Sequence, residues 1–381
     1  MGVAYPFLFN FAASYSQGGY KRLHEYARWF DRRGGAWFII HPRCEHLQAT
    51  FPSNRFFIVS RSHLRRLVDD WSYLIDIGRS IGQPELYYAY GIPLYQRFGV
   101  LNWFHLQNVL TVGRHEVPLS LLHQLKFRLL GRRFRNGFPL ADVVSAESRF
   151  SLQQIRAEIT PAQSFLSVNG SDDELARLHG RPRDEWSPIA TAVGTISYKA
   201  LEHAYRIFQS LKTDSPQLRL MIVGDPSLVA RALRRAPDVT CLGTLPRPEV
   251  IALLQRSRFY LSTTYAENSY NCAAEGIFHA LESYISDIPP HRELLEGEPC
   301  TALQVPGLNR AMLHLHRDRL KGLNLKSWDS VISEMIARVR PATAIAVPRA
   351  GNPPHWPATP TGPPPDLIRP PLRGKSTAQR P

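Results

Sequence analysis

A chain of 381 residues, 44 % of them hydrophobic, is long enough for two ordinary domains, because single cores stop growing well below that size. Its 46 lysines and arginines against 32 acidic residues leave a formal charge of +14, which favours an anionic partner: phosphate, nucleic acid or an acidic membrane face. No apolar run reaches 18 residues, and Cys44, Cys241, Cys272 and Cys300 are scattered without a C-x-x-C; these facts exclude a spanning helix and a disulfide framework and point to a reduced, cytoplasmic protein.

In chain order, "VAYPFLFNF" predicts a first strand. With no basic residue before Lys21 it does not read as a secretory signal, and Pro6 breaks the myristoylation pattern that Gly2 would begin. "SQGGYKRLHEYARWFDRRGG" then predicts a turn with Gly18 and Gly19 followed by a helix. Glycine there lets backbone approach a ligand without Cβ interference, and a plain tight turn is the other reading. "AWFIIHP", "ELYYAYG" and "LNWFHLQ" continue as strands, the rhythm of βαβ units. The last of them carries His105, Gln107 and Asn108 to its mouth; strand alternation puts His105 and Gln107 on one face and Asn108 on the other, leaving His105 readable either as a core residue or as a pocket residue.

Residues 121–138, "LLHQLKFRLLGRRFRNGF", interleave leucine and phenylalanine with Lys126, Arg128, Arg132, Arg133 and Arg135. A basic amphipathic segment of this kind reads as a surface for anionic lipid, or as a solvated face with Gly131 ending the helix. After "FLSVNGSDDE" the βαβ rhythm restarts with "PIATAVG", "KALEHAYRIFQSLK", "LRLMIVGD", "VTCLG" and "PEVIALLQRS". "RFYLSTTYAENSYNCAAEGIFHAL" predicts a strand ending near Ser262, a loop through Tyr270 and a helix from about Asn271. Glu267 falls in the loop and Glu275 on the early helix, beside a helix N-terminus at the carboxyl end of a strand, where an α/β sheet binds anions. A carboxylate also accepts two hydrogen bonds from a vicinal diol. The plainer reading is that Glu275 complements the helix dipole and Glu267 is solvated. From about Arg340 onward about a dozen of the 31 prolines crowd into a segment with too little apolar mass to offset its ordering entropy, so a disordered tail is expected.

Residues 192–295, with the E-x(7)-E element formed by Glu267 and Glu275, resemble the donor-binding domain of family 4 glycosyltransferases of the GT-B fold. "SYSQGGYKRLHEYARWFDRRGGAWFIIHP" resembles that family's glycine loop and following helix, and "LADVVSAESRFSLQQI" its last amino-domain unit, so the likeness extends from residue 1 to about 340. It implies that Glu267 contacts the donor sugar, Glu275 the ribose, and the amides of Asn271 and Cys272 the diphosphate. Asn268, Ser269, Tyr270, Gly194, Thr195, Gly18 and Gly19 complete the implied nucleotide-sugar site, with His105 as a cleft residue and Asn108 on the acceptor side. Thr195 stands where the family usually has arginine, leaving Lys199 as the cation for the departing diphosphate, and Tyr270 stands where it often has glycine.

The resulting expectation is an α/β protein of GT-B fold, two Rossmann-like doubly wound parallel sheets facing a cleft. Residues 1–168 form an acceptor-side domain, 169–318 a nucleotide-sugar domain, 319–340 a closing helix packed back on the first domain, and 341–381 the proline-rich tail. The expected activity moves a hexose, with retention, from a nucleoside diphosphate sugar to a glycan or polyprenyl-linked acceptor in cell-surface polysaccharide or lipopolysaccharide assembly, at the inner face of the cytoplasmic membrane. No cofactor, metal or nucleic acid is expected; the absence of D-x-D argues against a metal-clamped diphosphate. The alternatives are a non-catalytic binding or assembly subunit on the same fold, favoured by Thr195, and a transferase for a small soluble acceptor.

Overall fold

The structure is a computed structural model. It describes residues 7–15, 17–60, 72–113, 117–171, 186–323 and 325–345. The expected disordered tail lies, beyond Ile345, outside the described residues.

The first half builds one all-parallel sheet. Its strands are β1 (Phe7–Asn10), β2 (Trp37–Ile40), β3 (Arg55–Ile58), β4 (Leu86–Tyr90), β5 (Leu101–Leu106), β6 (Val143–Ala146) and β7 (Ser164–Leu166). They lie in the order β3-β2-β1-β4-β5-β6-β7. β4 and β5 are buried at every position, as strands must be when helices cover both faces of a parallel sheet. The main flanking helices are α1 (Gln17–Asp31), α2 (Ser72–Ile81), α3 (Leu121–Gly137) and α4 (Arg149–Arg156). Leu23, Tyr26, Ala27 and Phe30 make the buried stripe of α1, the i, i+3, i+4, i+7 spacing of an amphipathic helix. Gly18 and Gly19 lie inside the first turn of α1, so the expected separate glycine turn is part of the helix itself.

The second half builds a sheet in the order β10-β9-β8-β11-β12-β14-β13. Five strands are parallel neighbours: β8 (Ser187–Val193), β9 (Arg219–Val223), β10 (Val239–Gly243), β11 (Ser257–Ser262) and β12 (Glu282–Ser286). β13 (Thr301–Leu303) and β14 (Met312–His316) add an antiparallel edge. The helices here are α5 (Leu201–Asp214), α6 (Arg247–Arg256), α7 (Asn271–His279) and α8 (Pro289–Leu294). The end of β11 at Ser262 and the start of α7 at Asn271 are those that the sequence predicts.

The last helix, α9 (Trp328–Ile345), returns to the first sheet. Trp328, Ile332, Met335, Ile336 and Val339 join the aromatic core of Phe9, Tyr26, Phe38 and Tyr88. The helix runs five residues past the expected end at 340, through Pro341. Gly170 makes the junction possible, because a Cβ there would stand 2.6 Å from the Trp328 ring. Ser171 N also donates to Lys326 O at 2.7 Å, tying the outgoing and returning chain together.

Trp328 is thus the anchor of the carboxyl end on the amino-terminal domain. Trp328→Ala should destabilise the fold by about 3–5 kcal/mol, the range for a deleted core aromatic. Urea unfolding measures it; a loss below about 1 kcal/mol would show that α9 is not integral to the first core.

Candidate functional site

The carboxyl ends of β8 and β11 open into two loops that cross-brace each other. Gly194, at φ +96°, turns the chain out of β8 in a conformation that side chains rarely adopt. Ala200 is also left-handed, at φ 48°. Such a conformation costs about 1 kcal/mol or more for a non-glycine residue and persists only where its neighbours impose it. Thr263 supplies that restraint, its hydroxyl lying 3.0 Å from Lys199 O and 2.8 Å from Ala200 O. Tyr265 N donates to Tyr198 O at 2.8 Å. The bracing sets the Lys199 ammonium against the Glu267 carboxylate, to which it donates. Burial alone would lower the lysine, but Glu267 outweighs it and holds the ammonium well above the usual range, hence charged. Thr195 is buried and packs on Gly224, where a Cβ would stand 2.7 Å from its methyl group.

α7 starts eight residues beyond Thr263, and its N-terminus has no side-chain cap. The first-turn amides of Asn271 and Cys272 therefore receive no side-chain acceptor from Tyr270. Gly276 lets the helix lie flush on β11, since a Cβ there would come within 2.2 Å of the Tyr260 ring. Burial pushes the Cys272 thiol up to about 11, so it stays protonated and offers its backbone, not a thiolate. Glu275, one turn in, accepts from Arg247 of α6 at 3.0 and 2.9 Å and lies 3.9 Å from the Lys21 ammonium of α1. Gly18 faces the same point: the atom nearest to a Cβ built there is Asn271 Nδ2 at 3.9 Å. Two helix N-termini, one from each domain, thus oppose each other across a gap flanked by Glu267, Glu275, Lys199, Lys21 and Arg247. The convergence of partial positive charge at helix starts with three cations suits an anion, and the two carboxylates suit hydroxyl groups.

Below this gap lies a buried polar cluster. His105 is fully buried and stacks on Tyr90 with ring centroids 5.0 Å apart. Trp103 Nε1 donates to Ser145 Oγ at 2.6 Å, and His105 Nδ1 lies 2.7 Å from the same oxygen; because Nε2 faces the Glu147 carboxylate, the tautomer is assigned with Ser145 donating to Nδ1. That assignment leaves the His105 proton on Nε2, which points at Glu147 Oε1 3.6 Å away. Burial, and then the Arg22 cation, lower His105 to about 4, so the ring is neutral at pH 7. Burial would raise the Glu147 carboxyl, but His105, Arg22 and Tyr90 together hold it below the usual range. Tyr90 OH donates to Glu147 at 2.7 Å, and Asn268 Nδ2, from the second domain, donates to it at 2.9 Å.

The sequence-predicted residues therefore separate into two groups. Glu267, Lys199, Glu275, Asn271, Cys272, Gly18 and Gly194 surround the gap, Gly19 packs beside it against Gln107 and Ser14, and Tyr270 is buried in the core of the second domain. His105 sits behind it, and Asn268 and Ser269 turn toward the first domain, where Asn169 Nδ2 donates to Ser269 Oγ at 2.8 Å. Asn108 caps a short turn by accepting from Leu110 N at 2.9 Å. Arg22, Glu147, Arg247 and Lys21 were not singled out by sequence reasoning. For Arg22 a signal existed: it lies four residues before Tyr26, on the buried stripe of α1.

No family model matches the sequence, and no curated protein matches it. Solved structures do. The sucrose-phosphate synthase of Thermosynechococcus elongatus is 15% identical over 72% of this chain and 79% of its own, with a TM-score of 0.51. Anabaena HepE, solved with UDP and glucose, is 15% identical over 72% of this chain and 78% of its own, at 0.49. The lipopolysaccharide outer core galactosyltransferase WaaB, in its apo form, is 14% identical over 72% and 78%, at 0.42. Two doubly wound sheets facing a cleft, closed by a final helix that returns to the first, make the architecture of this chain GT-B.

Proposed function

We propose that the protein is a glycosyltransferase that moves a hexose from a nucleoside diphosphate sugar to a glycan acceptor, with retention and without a metal. The observation that carries this reading is the convergence of Glu267, Glu275 and the uncapped start of α7 at the carboxyl ends of β8 and β11, opposite Gly18. The α7 amides receive the diphosphate, Glu275 the ribose and Glu267 the sugar. Lys199 stabilises charge that develops on the departing diphosphate, a preorganised electrostatic contribution. Glu267 is a binder in this scheme, because its carboxylate is already committed to Lys199.

The acceptor is proposed to be lipid-linked, on the evidence of α3. Leu121 and Leu122 are each 81% exposed, and Leu125 and Leu129 are exposed beside them. Lys126, Arg128 and Arg132 interleave with these leucines, and the helix carries no acidic residue. The second half of the helix is different: Gly131, Phe134 and Gly137 are buried, and Arg135 pairs with Glu158 at 2.9 Å. Gly131 does not end the helix; it lets the helix touch the Thr111 backbone, where a Cβ would fall 2.0 Å from Thr111 O. The lipid-facing part of 121–138 is therefore its first three turns, with Arg135 engaged elsewhere. The helices of the described residues include none long and apolar enough to cross a membrane.

Glu275→Ala should weaken nucleoside diphosphate binding by about 1.5–3 kcal/mol, the value of a charge-assisted hydrogen bond, whereas Glu267→Ala should spare the free nucleotide and impair the sugar nucleotide. Calorimetry with a panel of nucleoside diphosphates and their sugars reads both. An equal loss in Arg247→Ala would assign the effect to the ion pair and not to the ribose. Lys199→Ala should lower kcat by more than it lowers nucleotide affinity, and full turnover would leave the diphosphate without its cation. Each exposed cation near an anionic surface contributes about 1 kcal/mol and each buried methylene about 0.8 kcal/mol. Replacing Leu121, Leu122 and Leu125 with serine should therefore release the protein from phosphatidylserine vesicles at low salt while transfer to a soluble acceptor analogue continues. Wild-type protein that ignores such vesicles would favour a small soluble acceptor.

A further inference from the structure

The segment between Glu267 and α7, which bears the proposed donor contacts, is not held by its own domain alone. Asn268 reaches out of it into the first domain. Its Nδ2 donates to Leu106 O at 3.0 Å and to Glu147 Oε2 at 2.9 Å, and since both partners only accept, the orientation of the amide is settled. Its backbone carbonyl accepts from Ser151 Oγ at 3.3 Å. Asn268 is only 9% exposed and Glu147 only 4%, so this crossing is made away from water, where a hydrogen bond to a carboxylate is strong and its loss costly.

Glu147 is itself held from three sides. Tyr90 OH donates to Oε1 at 2.7 Å, Arg22 Nε stands 3.8 Å from the same oxygen, and His105 Nε2 stands 3.6 Å from it. Oε1 is thus occupied by the first domain and Oε2 is left for Asn268. The first domain holds one carboxylate oxygen and leaves the other to Asn268, which is what a reference point requires.

A second crossing lies beside it. Glu293 of α8 accepts from the Arg149 and Phe150 backbone amides at 2.7 Å each, so a carboxylate of the second domain caps α4 of the first. This contact fixes the approach of the two domains. The Asn268 contact fixes the donor segment.

We infer that Glu147 is a positioning residue for the proposed transfer: through Asn268 it sets the 267–271 segment, and with it Glu267 and the first amides of α7, in register with the first domain. The catalytic consequence rests on the function proposed above; the structural one does not. A misplacement of reacting groups by about 1 Å costs on the order of 100-fold in rate, so the clasp couples domain closure to a competent donor site. It explains why the residue after Glu267 carries an amide long enough to leave its own domain.

The test uses the full chain. Hydrogen exchange of peptides covering 264–272, measured without any ligand, compares wild type, Asn268→Ala, Glu147→Gln and the double variant. Asn268→Ala should accelerate exchange in this segment about tenfold or more and leave the strands of both sheets protected. Glu147→Gln, which sets an amide nitrogen against the Asn268 amide, should do the same, and the double variant should add little to either, because both remove one interaction. Unchanged exchange in Asn268→Ala, or effects of the two substitutions that simply add, would overturn the inference. Should Glu147→Gln unfold for want of a partner to Arg22, Asn268→Ala keeps that pair and decides alone. Turnover with a nucleotide-sugar donor then reads the consequence: kcat should fall about tenfold or more in Asn268→Ala, with nucleoside diphosphate affinity within about threefold, because Glu275 and the α7 amides remain. A wild type that binds no nucleoside diphosphate would refute the proposed function and leave the exchange result to judge the clasp.

Discussion

A guanidinium with no exposed surface sits where the two halves of this protein meet, and the rest of the molecule is arranged around the need to satisfy it. Burying a charge is costly unless it is paired and its donors are used. Arg22 meets that demand by donating to Asn169 Oδ1 at 3.1 Å, to Ser167 O at 2.8 Å and Val168 O at 3.0 Å, and to the hydroxyls of Tyr26, Tyr88 and Ser167 at 3.2 Å. Three of its partners are consecutive residues, 167–169, where the chain leaves the first sheet. Trp328 and Tyr90 lend their ring faces at 5.6 Å. One side chain of α1 therefore fixes the exit from the first domain and touches the helix that returns to it.

Glu147 balances that charge, and its position at the end of β6 gives it a second role. The same carboxylate that neutralises Arg22 on one side receives the Asn268 amide on the other. Electrostatic compensation in the core and registration of the cleft are in this way one interaction. It also accounts for His105: a ring near the mouth of β5, readable by sequence as core or pocket, lies under the cleft bonded to Ser145 and stacked on Tyr90, where it stays neutral and lies against Glu147.

The cleft itself works by opposing partial charges. The starts of α1 and α7 approach from different domains, with Gly18 and Asn271 at the point of closest approach. A Cβ at Gly18 would meet Asn271 Nδ2 at 3.9 Å, an ordinary van der Waals contact that takes up space between the two helix starts. The cations around it are each held by a carboxylate: Lys199 by Glu267, and Arg247 with Lys21 by Glu275. Three cations against two carboxylates leave these groups one positive charge in excess while keeping directed donors and acceptors, which suits a ligand that carries both phosphate and hydroxyl groups.

Local pattern alone determined much of this protein. Period-two and period-3.6 hydrophobicity located the central strands of both sheets and several of their helices, and the end of β11 and the start of α7 followed because a buried apolar run, a polar loop and a helix start are each short-range signals. The E-x(7)-E spacing placed Glu267 in a loop and Glu275 one turn into a helix, for the same reason. What only the tertiary structure decided is everything that depends on pairs far apart in the chain. Arg22 and Glu147 are 125 positions apart, and nothing in local spacing pairs them until folding buries them together. Asn268 is expected from the sequence in the donor site, and in the fold its amide instead crosses to Leu106 and Glu147. The leucines of α3 fit a lipid-facing or a solvated helix by pattern alone, and only folding buries Gly131, Phe134 and Gly137 while leaving Leu121, Leu122, Leu125 and Leu129 exposed. A side chain's neighbours on its own element are written in the sequence by spacing, but the partner that neutralises a buried charge is chosen by the packing of the whole chain.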